Sequence, residues 1–293
     1  MAYFINFNNY ICKQKKSIKI TNMSLKNSIN VALIIVGTML VSCQGNKSGN
    51  SAPSTADSVN IKQLSEDVKD VVYPLPTPFE MTRMLNDIGA RYVSSSLNPA
   101  DKAEKYFTEK SKAINLGVYA ADLAYAATFD QKQDIQLYSK AIKTLVDDLG
   151  INIEFSSMLS DEFKEKINNK DTLAKAITNT YYATYKNLGE KSNKELSILM
   201  VSGMWVELMY IATHISEDTY NNTNLVNIIA KQKDSYVKLM ALLDEHSKSK
   251  EIKELQEKLV VLKPAFDQVD KGLQEKDYKL ILKTIQDVRK SLI

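Results

Sequence analysis

Two stretches of the chain are apolar on every side. From Ala113 to Phe129 there is no Lys or Arg, and the strongly polar side chains are Asn115, Asp122 and Thr128. From Leu196 to Thr213 the pattern recurs, with Ser197, Ser202, Glu207 and Thr213 as its polar positions. A surface helix carries one apolar stripe, whereas a helix apolar all round belongs inside a bundle. Both stretches are therefore expected to be central helices, each with one acid where acids are costly. They also share letters: Asp122-Leu123-Ala124-Tyr125-Ala126-Ala127-Thr128 recurs 85 positions later as Glu207-Leu208-Met209-Tyr210-Ile211-Ala212-Thr213. That spacing is too long for tetratricopeptide units of about 34 residues and suits duplication of a multi-helix unit, with halves at 77–170 and 171–293.

Helical signals surround both stretches. Thr77-Pro78-Phe79-Glu80 reads as a capping box with proline in the first turn, opening a helix to about Ser94. Asn98-Pro99-Ala100-Asp101 repeats the device. Asp130 is expected to begin a helix ending near Leu149, with Gly150 as its C-terminal cap. Ser160-Asp161-Glu162 opens a short helix, and Asp171 caps a longer one closed by Leu188-Gly189. Ser192-Asn193-Lys194-Glu195 then feeds the second central helix. Three more helices are expected at 223–247, 250–271 and 277–291, with Pro264 kinking the second of them. No stretch alternates apolar and polar residues over strand length, so the fold class is all-α, a multi-helix bundle.

The N-terminus follows another logic. Lys13, Lys15, Lys16, Lys19 and Lys26 precede an apolar run from Val31 to Val41, too short to span a bilayer comfortably. The run ends in Leu40-Val41-Ser42-Cys43, which resembles the lipobox of bacterial lipoproteins. The resemblance implies cleavage after Ser42, lipidation of Cys43 and attachment to an outer or inner membrane. Residues 1–42 then form a signal peptide; a start at Met23 would give it ordinary length, with residues 1–22 either untranslated or an unusually long basic leader. Residues 43–59, rich in Gly, Ser, Asn and Ala, read as a flexible tether, and 60–293 as the all-helical domain. Gln44-Gly45-Asn46-Lys47 lacks the acidic run resembling a surface-export signal, so a periplasm-facing domain is expected.

Cleavage changes the charge. The whole chain has 38 basic and 35 acidic residues; losing five Lys with the leader leaves 33 against 35, a net charge of −2. No basic stripe remains to favour nucleic acid as a partner. Cys12 leaves with the leader and Cys43 carries lipid, so no thiol is left for a disulfide, a thiolate metal site or a nucleophile. Phosphate-binding glycine loops, Gly-x-Ser-x-Gly and His-Glu-x-x-His are all absent from the sequence. Leu196–Thr213 is long enough to cross a membrane by count, but Glu207 and closely flanking charged helices oppose that.

The candidate chemistry lies in the repeated pattern. On helices, Asn115, Tyr119 and Asp122 share one side, as do Glu207, Tyr210 and His214. If the helices face each other, the acids converge with Tyr119, Tyr125, Tyr210 and His214 as a candidate ligand-binding cluster. In one reading each acid accepts bonds from tyrosine hydroxyls or backbone and fixes helix register. In the other the cluster binds a ligand or metal. Gly117-x-Tyr119-x-x-Asp122 is similar in spacing to the Gly-x-His-x-x-Glu motif of imelysin-like helical proteins, which are exported, duplicated and linked to iron or haem uptake. Tyrosine replaces the histidine and the second copy breaks the spacing. With only His214 and His246 in the chain, a histidine-rich metal site is excluded. The expectation is a lipid-anchored envelope protein without catalytic activity or cofactor, binding a protein or small ligand or serving a structural role. Metal or haem acquisition is the alternative.

Overall fold

The computed structural model describes residues 75, 77–151, 169–190, 194–216 and 219–293, all within one compact unit, Thr55–Ile293. The signal segment, Cys43, the tether and the helix expected after Ser160 lie outside the described residues. In chain order the helices are α1 (Pro78–Asp87), α2 (Glu109–Thr128), α3 (Lys132–Asp148), α4 (Lys170–Glu190), α5 (Lys194–His214), α6 (Thr223–Ala230), α7 (Lys233–Glu245), α8 (Lys250–Leu259), α9 (Lys263–Gln268) and α10 (Glu275–Leu292). Short 3-10 turns complete the fold, and no strand occurs among the described residues. The protein is an all-α multi-helix bundle.

The two apolar stretches form its centre. α2 is buried from Ala113 to Ala127, and nearly all of α5 is buried. α5 is the one helix among the described residues long and apolar enough to cross a membrane, and 94% of that stretch is buried inside the protein. α1 and α3 lie against α2, while α4 and α10 lie against α5. The central pair meets backbone to backbone. A Cβ on Gly117 would sit 1.8 Å from the Met200 carbonyl oxygen, and one on Gly203 would sit 2.0 Å from that of Ile114. Only glycine permits so close a crossing. Ser202, which the 85-residue offset aligns with Gly117, bonds the Ile198 carbonyl instead.

Several element ends differ from the sequence expectation, each for a local reason. α1 stops at Asp87, not Ser94, because Gly89 turns left-handed (φ 73°) and the Ala90 N–H bonds back to the Leu85 carbonyl. The Thr77 side chain makes no capping bond, although Pro78 holds its expected place. After Asn98-Pro99 comes only a 3-10 turn, Ala100–Lys105. The capping box belongs to Thr108 and Ser111, which start α2. Asp130 does not open α3. It adopts φ 58° and lets the Gln131 N–H bond back to the Ala126 carbonyl, ending α2. Gly150 takes its expected role, at φ 60°. Gly189 does not close α4, which runs on to Glu190. The helix expected over 223–247 breaks where the Gln232 side-chain amide takes the Ile228 carbonyl, leaving its backbone N–H on Ile229. The break expected at Pro264 falls just before it, as a 3-10 turn at Val260–Leu262, since proline offers no N–H to the Val260 carbonyl.

Candidate functional site

Asp122 on α2 and Glu207 on α5 meet in the bundle centre. Both are fully buried, and the charge of Glu207 acts on Asp122. The third member comes from α10. Arg289 donates from Nε to Glu207 Oε2 at 2.6 Å and from Nη2 to Oε1 at 2.7 Å, a bidentate pair. Its Nη2 also donates to the Ser96 carbonyl at 3.1 Å, and its guanidinium carbon lies 3.9 Å from the Tyr210 ring centre. Asp122 has no cation of its own. Its Oδ2 accepts the Asn98 backbone N–H at 3.3 Å, while Oδ1 has no hydrogen-bond partner.

Two adjacent buried carboxylates facing one guanidinium cannot both ionise at moderate cost. Burial pushes the Asp122 carboxyl well above its ordinary value, and the Glu207 charge pushes it further; Arg289 opposes only in part. Burial also raises Glu207, but the hydrogen bonds and charge of Arg289 pull it back. The balance favours the neutral form at Asp122 and the ionised form at Glu207, which alone has the guanidinium. Burial works against the Arg289 charge, yet Glu207 overcomes it and holds the guanidinium above its usual value.

Of the two kinds of donor in the first sequence reading, tyrosine hydroxyls do not serve the acids, whereas backbone does, through the Asn98 N–H on Asp122. Tyr119 donates to the Pro99 carbonyl at 2.9 Å. Tyr125 donates to the Arg91 carbonyl at 3.0 Å, accepts the Val93 N–H at 3.1 Å and stacks on Tyr92. Both hydroxyls pin the irregular segment before α2 rather than the acids. Asn115 donates to the Ser111 carbonyl and to the Leu292 carbonyl at the end of α10, both at 2.9 Å. Tyr210 and His214 do join the cluster. Their rings stack at 3.9 Å, and His214 Nδ1 lies 3.0 Å from the Tyr210 carbonyl. Both are half-buried, so the cluster reaches solvent there. Burial lowers the His214 imidazole, and the Arg289 charge adds to this against the carbonyl bond.

The donor set does not suit a metal. Arg289 already covers both Glu207 oxygens, and among the described residues no three His, Cys, Asp or Glu side chains gather. Among the described residues, a cavity lined by Leu116, Ile142, Ile177, Tyr181 and Met200 has a volume of about 20 Å³, enough for one water. No family model, no curated protein and no solved structure matches the chain.

Arg289 is the residue that the sequence reading missed. Its signal was present, because the chain has only three arginines, Arg83, Arg91 and Arg289, among its 38 basic residues. Arg289 also sits four residues after Ile285 on the buried stripe of α10. An arginine on an apolar stripe calls for a planar, bidentate acceptor in the core.

Proposed function

We infer that the chain is a lipid-anchored, non-catalytic binding or structural protein of the cell envelope, its helical domain tethered through Cys43 and facing the periplasm. The observation that carries the non-catalytic part is the Arg289 guanidinium on Glu207. It engages the acid pair in joining α2, α5 and α10, so the most polar group in the core is committed to the fold. The order of apolar run, Ser42, Cys43 and polar tether supports the anchor. A partner would meet the outer faces of the bundle, where mixed charges and small ion pairs such as Lys112 with Asp148 lie.

Two measurements test this reading. Intact mass and palmitate labelling of the membrane-extracted protein should show acyl chains on Cys43 that Cys43→Ser removes; a free thiol there overturns the anchor. Metal analysis of the purified protein should show no stoichiometric metal. A bound metal that disappears in Glu207→Gln would instead make the acid pair an acquisition site.

A further inference from the structure

We propose that the solvent edge of the Arg289–Tyr210–His214 stack binds one small oxyanion, a carboxylate or phosphate, between Arg289 Nη1 and the Tyr210 hydroxyl. The site deepens the binding reading above and rests on it, but not on the anchor. Oxyanion binding here and lipid on Cys43 stand or fall by separate experiments.

Tyr210 is gripped on both faces. The Arg289 guanidinium carbon and the His214 ring centre each lie 3.9 Å from the centre of its ring, and the imidazole is tilted by only 21°. Two planar groups at that distance would collide on one face, so they take opposite faces. The imidazole is held in turn by the Tyr210 carbonyl and the Thr213 hydroxyl, each 3.0 Å from Nδ1. Arg289 is fixed by Glu207 and by the Ser96 carbonyl. The phenol is therefore positioned from both sides, with its hydroxyl held beside the guanidinium.

Arg289 is only 8% exposed, yet one of its nitrogens is not used by the fold. Nε and Nη2 make all the bonds of the side chain, to Glu207 and to the Ser96 carbonyl. Nη1 makes none and is not among the buried atoms that lack a partner, so it opens to solvent. The same holds for the hydroxyl of Tyr210, a half-buried residue. Two donors thus meet solvent at one mouth. A guanidinium engaged by a carboxylate on one edge keeps a second edge whose N–H groups suit another oxyanion, and the phenol supplies a further donor. Glu207 offsets much of the Arg289 charge, so the direction of the donors selects the ligand more than net charge does. That favours a compact anion with two oxygens, and donors already fixed by the fold lose little freedom on binding it.

The chain has only three arginines, so NMR of the full-length protein labelled at the guanidinium carbon gives one signal each for Arg83, Arg91 and Arg289. Acetate and inorganic phosphate are titrated in turn, with sodium chloride holding the ionic strength constant. The Arg289 signal should shift and saturate with at least one of the two anions, whereas the exposed Arg83 and Arg91 should show no saturation. Tyr210→Phe keeps the ring between its neighbours and removes the hydroxyl. Its midpoint should rise about tenfold, the usual loss for one hydrogen bond to a charged group. An Arg289 response that never saturates overturns the site, as does a midpoint unchanged in the variant. Should the variant not fold, the Tyr210 ring signals of wild type decide: a shift with the Arg289 midpoint upholds the site, and the lack of one overturns it.

Discussion

Asp122 and Glu207 hold the same place in two copies of one pattern, on two central helices, and both are fully buried. Yet burial and the Glu207 charge push the Asp122 carboxyl far up, while Arg289 pulls Glu207 back toward its ionised form. The difference comes from what distant parts of the chain bring to each. α10 places a guanidinium on Glu207, whereas Asp122 receives only the Asn98 backbone N–H. Elsewhere the copies behave alike: Thr128 bonds the Ala124 carbonyl as Thr213 bonds that of Met209, both at 2.8 Å. A shared pattern fixes helix register and burial, then, but it leaves the ionisation of a buried acid to its neighbours.

The sharpest way to break the comparison is to remove what separates the two acids. Arg289→Met should cost about 3–5 kcal/mol in urea unfolding, the usual loss when one partner leaves a buried ion pair. It should also make the two acids alike, since Glu207 would then hold a proton too. A loss under about 1 kcal/mol would show that the pair contributes little beyond its apolar packing.

Next comes the crossing that puts the acids in reach. Gly117→Ala drives a methyl group into the Met200 carbonyl, and Gly203→Ala does the same at Ile114. Because both obstacles are backbone, the helices must move apart. Each should cost about 3 kcal/mol, the upper end for overpacking, with similar values for the two sites. Thermal unfolding would reveal any inequality between the two crossing points.

Exchanging each acid for its amide then separates their roles. Glu207→Gln leaves Arg289 buried beside a neutral acceptor and should cost about 2–3 kcal/mol by chemical denaturation. Asp122→Asn replaces a neutral donor with another of the same shape, so a cost of about 1 kcal/mol or less is expected near pH 4, and above it the variant gains on wild type. Equal costs would mean that the two acids share the charge.

The smallest effect at any one pH is the most diagnostic across pH. The folded-state pKa of Asp122 is raised above its ordinary 3.8, so the folded protein binds a proton that the unfolded chain releases. That contribution is fully present below the unfolded value and is lost as pH rises toward the folded one. Wild-type stability relative to Asp122→Asn should therefore fall by up to about 1.4 kcal/mol per pH unit above about pH 4, levelling once the folded pKa is passed. A flat difference from pH 4 upward would show that Asp122 is ionised in the fold.

Much of this was legible beforehand. Helices apolar on all sides had to be central, because no other position buries every face, and the sequence marked both by their lack of Lys and Arg. Gly150 at the end of α3 and a break at Pro264 follow from backbone chemistry that acts within a few residues. Asp130 was misread because the same residue type serves to cap a helix start or to tolerate the left-handed turn at a helix end. The run from Gly89 to Lys105 was read as helix from its local start signals, whereas its irregular path is held by Tyr125, Asp122, Tyr119 and Arg289, far along the chain.

The sequence by itself determined the all-helical class, the two central helices and the presence of one costly acid in each. Those properties follow from local periodicity and from the rule that charge avoids the core. Only the tertiary structure decided which partner each acid receives. Arg289 lies 82 residues from Glu207, and Asn98 lies 24 from Asp122. Hydrogen bonds and charge act over a few ångströms in space whatever the separation along the chain, so the protonation of each acid was set by packing and not by its own pattern.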